Sequence, residues 1–229
     1  MRLPAFRRAP AEYDEQFMDT MASEYLERSA WTELRLEAVR SLVEPQPGDR
    51  VLDLGCAAGA ISDYLSSLGC ETVGVDAEPL AVEKARELFP ALSFQLANVA
   101  RLPFEDSSFD KAVAADLVEH LDDQTFRAML RETKRVLRPG GTLSLYTPNP
   151  RHPIERLKAR DLILAQNPTH IGLRDRAALE AKLREGGFEI ELSEWRASFV
   201  RGLRLVERAG GGRIESLRYR LCVRARVRA

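Results

Sequence analysis

Along this chain the spacing of apolar residues changes repeatedly, and each change marks a predicted element. Over 12–44, Phe17, Met21, Tyr25, Leu34 and Val39 recur at near-helical intervals, which predicts one or two amphipathic helices. Pro45-Gln46-Pro47-Gly48 stops them. Short apolar runs then alternate with helix-length segments: strands at 50–55, 71–76, 92–98, 110–116 and 142–147, with helices at 57–68, 79–89 and 122–138. Pro90 ends the second of these helices, and Pro139-Gly140-Gly141 ends the third. A further helix over 174–185 has Ala177, Ala178, Leu179 and Leu183 as its apolar positions and is followed by Gly186-Gly187 and a strand at about 188–195. In the last segment, Leu217, Tyr219, Leu221, Val223, Ala225 and Val227 alternate with polar or charged positions, which predicts a strand with one buried and one wet face.

Strands alternating with helices imply an α/β fold, with a mostly parallel sheet covered on both faces. In such a sheet, ligands bind beyond the carboxyl ends of the strands. The most informative stretch lies there: Val51 to Gly59 is an apolar strand running into a glycine-marked turn. Thr72-Val73-Gly74-Val75 follows as a second strand and ends on Asp76, 21 residues after Gly55. A carboxylate so placed can accept hydrogen bonds from both ribose hydroxyls, a spacing that suits NAD as well as S-adenosylmethionine. The dinucleotide fingerprint G-x-G-x-x-G is incomplete, because Ala57 stands at its second glycine and no third one follows. The turn therefore fits an adenosine ligand without a pyrophosphate better.

The motifs that follow give the chain a resemblance to the class I S-adenosylmethionine-dependent methyltransferases, in particular the small-molecule branch that includes ubiquinone-biosynthesis enzymes. Leu52 to Gly59 resembles the family's first motif and Val73-Gly74-Val75-Asp76 its second. Asn98 to Phe104 with Ser108-Phe109-Asp110, Asp116 to Leu121, and Arg135 to Gly141 complete the series in order over about 45–190. The resemblance implies a doubly wound, Rossmann-like sheet of seven strands, order 3-2-1-4-5-7-6, with the last strand antiparallel. It also implies S-adenosylmethionine as cofactor, bound by Asp53, Gly55, Cys56, Ala57, Gly59, Asp76, Ala77, Asn98, Val99, Asp116 and Leu117. Two positions depart from the pattern: Ala57 replaces a glycine and Asn98 an aspartate. An amide can still accept from the adenine amino group and donate to a ring nitrogen. Asp53 has two readings, as a polar residue satisfying the turn's backbone or as an indirect partner of the methionine amino group. The chain reads as one methyltransferase domain over 1–229, with an N-terminal helical lid at 12–44 and a cap insert at 150–172 beside the substrate pocket.

Composition narrows the picture in a few places. A formal net charge of −1 gives no overall pull toward nucleic acid or anionic membrane. Cys56, Cys70 and Cys222 form neither a metal-ligand spacing nor an even disulfide framework, so no metal is expected and reduced, cytoplasmic thiols are the simplest reading. No signal peptide or membrane span is visible. Residues 201–229 carry nine Arg against two Glu, a strip that could track phosphates. No aromatics are interleaved, and an exposed charged strand face and a protected sheet edge explain it without a partner, so nucleic acid is not the expected partner.

His120, His152 and His170 fall near the same strand ends. A group titrating near neutrality can take a proton from a hydroxyl as it is methylated, and His170 is the first choice for that role, His120 the second. Each also has a plain structural reading: loop orientation for His120, solvation for His152, helix capping for His170. The acceptor expected is a small molecule, methylated on oxygen by direct in-line transfer. Alternatives are an RNA or protein methyltransferase docking through the Arg-rich strand, and a dehydrogenase or non-catalytic nucleoside-binding protein. Nothing in the sequence sets the oligomeric state.

Overall fold

The computed structural model describes residues 15–153, 155, 169–196, 215 and 218–228. Seven strands, β1 (Arg50–Leu54), β2 (Glu71–Asp76), β3 (Ser93–Leu96), β4 (Phe109–Ala115), β5 (Leu137–Pro148), β6 (Phe188–Arg196) and β7 (Arg220–Val227), form one sheet in the order β3-β2-β1-β4-β5-β7-β6. The pairs β1–β2, β1–β4, β2–β3 and β4–β5 are parallel, and β7 is antiparallel to both β5 and β6. The expected order and the antiparallel last strand are both observed. Most of the expected cap at 150–172, residues 12–14 of the expected lid and the Leu217 start of the last strand lie outside the described residues.

Among the described residues, six α-helices accompany the sheet: α1 (Glu15–Leu26), α2 (Ala30–Val43), α3 (Ala60–Ser67), α4 (Pro79–Leu88), α5 (Asp123–Val136) and α6 (Arg176–Glu185). Side-chain caps set three of their starts. The oxygens of Ser29, Asp122 and Asp175 accept the backbone N–H of Thr32, Thr125 and Ala178, satisfying donors that have no partner inside the helix. The buried stripe of α2 is Leu36, Val39, Leu42 and Val43. Leu34 faces solvent instead, because it lies two residues, about 200°, from Leu36 around the helix. In α1 the buried positions include Met18, Ala22 and Tyr25, at intervals of four and three.

The two-residue period of the strands sorts their side chains into two cores. Leu52, Leu54, Ala112, Ala114, Leu143, Leu145, Leu221 and Val223 pack with Phe126 and Met129 of α5 and Leu179 and Leu183 of α6. Val51, Val113, Tyr146 and Cys222 pack with the α2 stripe and with Ile61 and Leu65 of α3. Burial on both faces is what a central strand requires, and it corrects the reading of β7. The strand is interior to the sheet, as the expected order had it, but its polar phase is not wet: Cys222 is fully buried, and the Arg220 and Arg224 side chains are 12% and 16% exposed. Only Arg226, half-exposed, keeps the expected character within the strand. The arginine charges are met by acids, Arg224 by Glu44 and Glu191, Arg226 by Glu191 and Arg220 by Asp116. Among the described residues, no helix is long and apolar enough to cross a membrane. All three cysteines are buried and free.

Candidate active site

Because β1, β2 and β4 are parallel and in register, their carboxyl ends place Gly55, Asp76 and Asp116 along one edge of the sheet. The backbone N–H groups of Gly55 and Cys56 both donate to Val75 O, at 2.8 and 3.0 Å, which bends the turn back over β2. Gly55 has φ +70°, and a Cβ there would meet Leu117 Cδ1 at 2.8 Å, so only glycine keeps this turn close to the β4 loop. Ala57, at φ 46°, donates its N–H to Asp76 Oδ2 at 2.9 Å, and Asp76 Oδ1 accepts from Glu78 N at 3.0 Å. Asp76 thus ties two turns together while still facing the cleft, and each of its oxygens retains acceptor capacity.

Asp53 is 1% exposed and accepts from Ser62 Oγ at 2.7 Å. Burial pushes its pKa up to about 6, against the hydrogen bond from Ser62. It lies beneath the turn rather than on the cleft wall. Gly59, the residue before α3, packs against Phe94 and Phe89 and is likewise off the wall. Asn98 is exposed, its Oδ1 takes the N–H of Ala100 at 2.8 Å, and Val99 is in the main core. The structure does not bring Asn98 or Val99 to the cleft.

The opposite wall begins where β4 ends. Asp116, at φ 58°, accepts from Arg35 Nε of α2 at 2.9 Å and sits 2.7 Å from Arg220 Nη1 of β7. Burial alone would raise the Asp116 pKa, but the two guanidinium groups outweigh it and hold the carboxyl below the usual range. Arg220 also stacks on the rings of Tyr146 and Tyr219, 5.3 and 4.8 Å from their centroids. The short helical turn Val118–His120 follows. Glu119 in it is buried, accepts from Thr147 Oγ1 at 3.0 Å, and has its pKa pushed up to about 8 by burial and by Asp116. Burial lowers the His120 pKa.

Residues 169–172 lie against this turn. Gly172 N donates to Glu119 O at 2.8 Å, and a Cβ at Gly172 would be 1.9 Å from Leu121 O, so the approach requires glycine. Thr169 Oγ1 is 2.9 Å from His120 Nδ1, and the rings of His120 and His170 meet edge to face at 4.8 Å. The two histidines singled out from the sequence are therefore neighbours. His152 is not with them: it is buried rather than solvated and packs edge to face on Tyr219 at 5.2 Å. One ligand-type atom each of Glu119, His120 and His170 lie within 4.8 Å of one another, a donor set able to hold a metal ion.

Both walls open into one cavity of about 550 Å³, in the range of small-molecule sites. Gly55, Cys56, Ala57, Asp76 and Ala77 line one side, and Asp116, Leu117, His120 and His170 the other. Tyr25, Thr32, Arg35, Glu119 and Arg220 also line it and were not singled out from the sequence. Thr32 and Arg35 share a helix face three residues apart, the one local signal that could have found them. Nothing local marks Arg220, which occupies the polar phase of β7.

Residues 51–141 match the family model described as a methyltransferase domain. A Mycolicibacterium smegmatis protein named a probable S-adenosylmethionine-dependent methyltransferase is 32% identical over 72% of this chain and 62% of its own length. The chain belongs to the S-adenosylmethionine-dependent methyltransferases. Another relative, the ubiquinone biosynthesis O-methyltransferase of Xanthomonas axonopodis, is 36% identical over 51% of this chain and 49% of its own. The matches thus span less than two thirds of these relatives. The crystal structure of an S-adenosylmethionine-dependent methyltransferase from Mesorhizobium loti superposes with a TM-score of 0.64, at 20% identity, over 88% of this chain and 99% of the other. S-adenosylmethionine is the cofactor of that family.

Proposed function

We propose that this chain is an enzyme that transfers the methyl group of S-adenosylmethionine to a hydroxyl oxygen of a small molecule. The observation that carries this reading is the single cavity shared by the Gly55–Ala77 wall and the Asp116–His170 wall. The residues present fit the donor. Ribose hydroxyls find the unfilled acceptor capacity of Asp76, and the turn at Gly55 admits close backbone approach. Arg35 and Asp116 offer a cation and an anion side by side, complementary to the carboxylate and ammonium of the methionine portion. Helices α1 and α2 supply Tyr25, Thr32 and Arg35 to the wall, in keeping with a lid within one methyltransferase domain. Tyr25 donates to Asp63 of α3 at 2.5 Å and Asp19 pairs with Lys84 of α4 at 2.5 Å, so α1 is latched across the donor end.

The donor supplies an electrophilic methyl group whose sulfur leaves with the bonding electron pair. The protein's task is alignment and removal of the acceptor's proton. His170 and His120 stand at the end of the cavity where the acceptor hydroxyl would lie, and a proton can leave toward them. Oxygen as the target is supported by the relative named an O-methyltransferase. An RNA or protein acceptor gains no support from the described arginines of β7, because acids within the chain already meet their charges.

The test is incubation of the purified chain with methyl-labelled S-adenosylmethionine and, in separate arms, a small-metabolite extract and total RNA. Label is expected in an extractable small product from the metabolite arm. Label confined to RNA would overturn the acceptor class, and calorimetry showing no binding of S-adenosylhomocysteine would overturn the donor.

A further inference from the structure

The geometry points to a divalent metal site on the acceptor wall, with Glu119, His120 and His170 as its ligands. This rests on the reading of that wall as the acceptor side, but binding of the ion can be measured without any acceptor. Three observations lead to it. First, the residue types are two imidazoles and one carboxylate, the donor set suited to Zn²⁺, Co²⁺ or Fe²⁺ rather than to Mg²⁺ or Ca²⁺. Second, their ligand atoms lie within 4.8 Å of one another. Ligands on one tetrahedral ion at ~2.0–2.2 Å stand about 3.3–3.6 Å apart, so the three side chains must draw together by up to about 1.5 Å to complete the set.

Third, neighbouring groups already orient the ligands. Thr169 Oγ1 holds His120 through Nδ1, which leaves Nε2 to face an ion. Thr147 Oγ1 occupies Oε2 of Glu119, which leaves Oε1. The hydrogen bond from Gly172 N to Glu119 O fastens the segment carrying His170 to the turn carrying the other two ligands. Two ligands adjacent in sequence and one brought in by a clasped segment form a partial shell with its remaining positions open to the cavity. With both imidazoles ligating the ion, they no longer take the proton themselves: an acceptor hydroxyl entering one of those positions would lose it to solvent, because the cation stabilises the oxyanion. That oxygen's lone pair then forms the new bond to the methyl carbon as the carbon–sulfur bond breaks, its electrons passing to sulfur.

The test uses the full, untagged chain stripped with chelator and titrated with Co²⁺, whose visible absorption reports coordination by nitrogen and oxygen. One equivalent is expected to bind. His170→Ala and Glu119→Gln should each weaken binding at least tenfold while S-adenosylhomocysteine binding and the circular dichroism spectrum stay as in the parent. Thr169→Val should weaken it about tenfold through His120 orientation alone. Co²⁺ uptake that is absent, or equal in the parent and His170→Ala, would overturn the site. Methyl transfer undiminished after chelation would overturn the ion's part in the reaction and leave the proposed reaction standing. Stoichiometric Co²⁺ binding without any methyl transfer would uphold the site and sink the reaction.

Discussion

The donor wall draws Gly55, Cys56 and Ala57 from one turn and Asp76 from the strand beside it, whereas the acceptor wall joins residues 116–120 to 169–170 and to Arg220. On the first wall the contacts are made by backbone N–H groups, those of Gly55 and Cys56 to Val75 O and that of Ala57 to the Asp76 carboxylate. On the second they are side-chain contacts between distant segments, Thr169 on His120 and Thr147 on Glu119, with Asp116, held by Arg35 and Arg220, at the join that faces the methionine portion. A ligand common to a family can be held by a conformation, and a conformation is written in a few adjacent residues. A ligand particular to one protein needs side chains, and those can come from anywhere along the chain.

The sharpest way to break the comparison is at the donor turn. Gly55→Val combines a left-handed φ with overlap on Leu117, together about 2–4 kcal/mol, so affinity for S-adenosylhomocysteine should fall on the order of 100-fold or more in calorimetry. Near-parental affinity would mean that conformation is not what holds the donor. Beneath that turn, Asp53 should make stability depend on pH. Its folded pKa of about 6 lies above the usual carboxylate value, so the folded state holds the proton more tightly. The resulting stabilisation is complete below about pH 4 and is lost as pH rises through 6, by about 3 kcal/mol. Denaturant titrations at pH 4.5 and 7.5 should show a loss about 2 kcal/mol larger in the parent than in Asp53→Asn, the raised Glu119 carboxyl adding a loss common to both. Equal slopes in the two would remove Asp53 as the cause.

On the acceptor wall, His170→Ala should lower turnover about 10²-fold with donor affinity changed less than about twofold. Loss of donor affinity instead would erase the distinction between the walls. Asp76→Ala should weaken S-adenosylhomocysteine binding by about 1.5–3 kcal/mol, the scale of a charge-assisted hydrogen bond. Asn98→Ala should change it by less than about 0.5 kcal/mol, because the amide is exposed and engaged by Ala100. A larger effect at Asn98 than at Asp76 would reverse the ranking.

The same contrast explains what could be read in advance. The strands, their order by resemblance, and the edge bearing Gly55, Asp76 and Asp116 were legible, because each depends on local period and on where a strand stops. His120 and His170 were both singled out, but their meeting depends on Gly172 letting two segments touch. Arg35 and Arg220 converge on Asp116 from 81 residues before and, by the sequence, 104 after. No periodicity encodes that. The error at β7 has the same origin, since alternation shows which residues share a face but not whether a helix such as α2 covers the other one. For Asn98, the expected strand runs two residues past the observed end at Leu96, and an Asx-type turn engages its Oδ1 with the N–H of Ala100.

The placement of β7 also has a consequence for the order in which the molecule is assembled. Among the described residues, β6 hydrogen-bonds to β7 alone and one side of β5 is closed only by β7, yet β7 follows the other strands and helices along the chain. Until residues 220–227 insert between them, β6 has no strand to lean on and β5 presents an open edge. The same insertion delivers Arg220 to Asp116. Completion of the sheet and completion of the cleft are therefore a single late event, and a chain halted before it would expose pairing edges and lack a cleft wall at the same time.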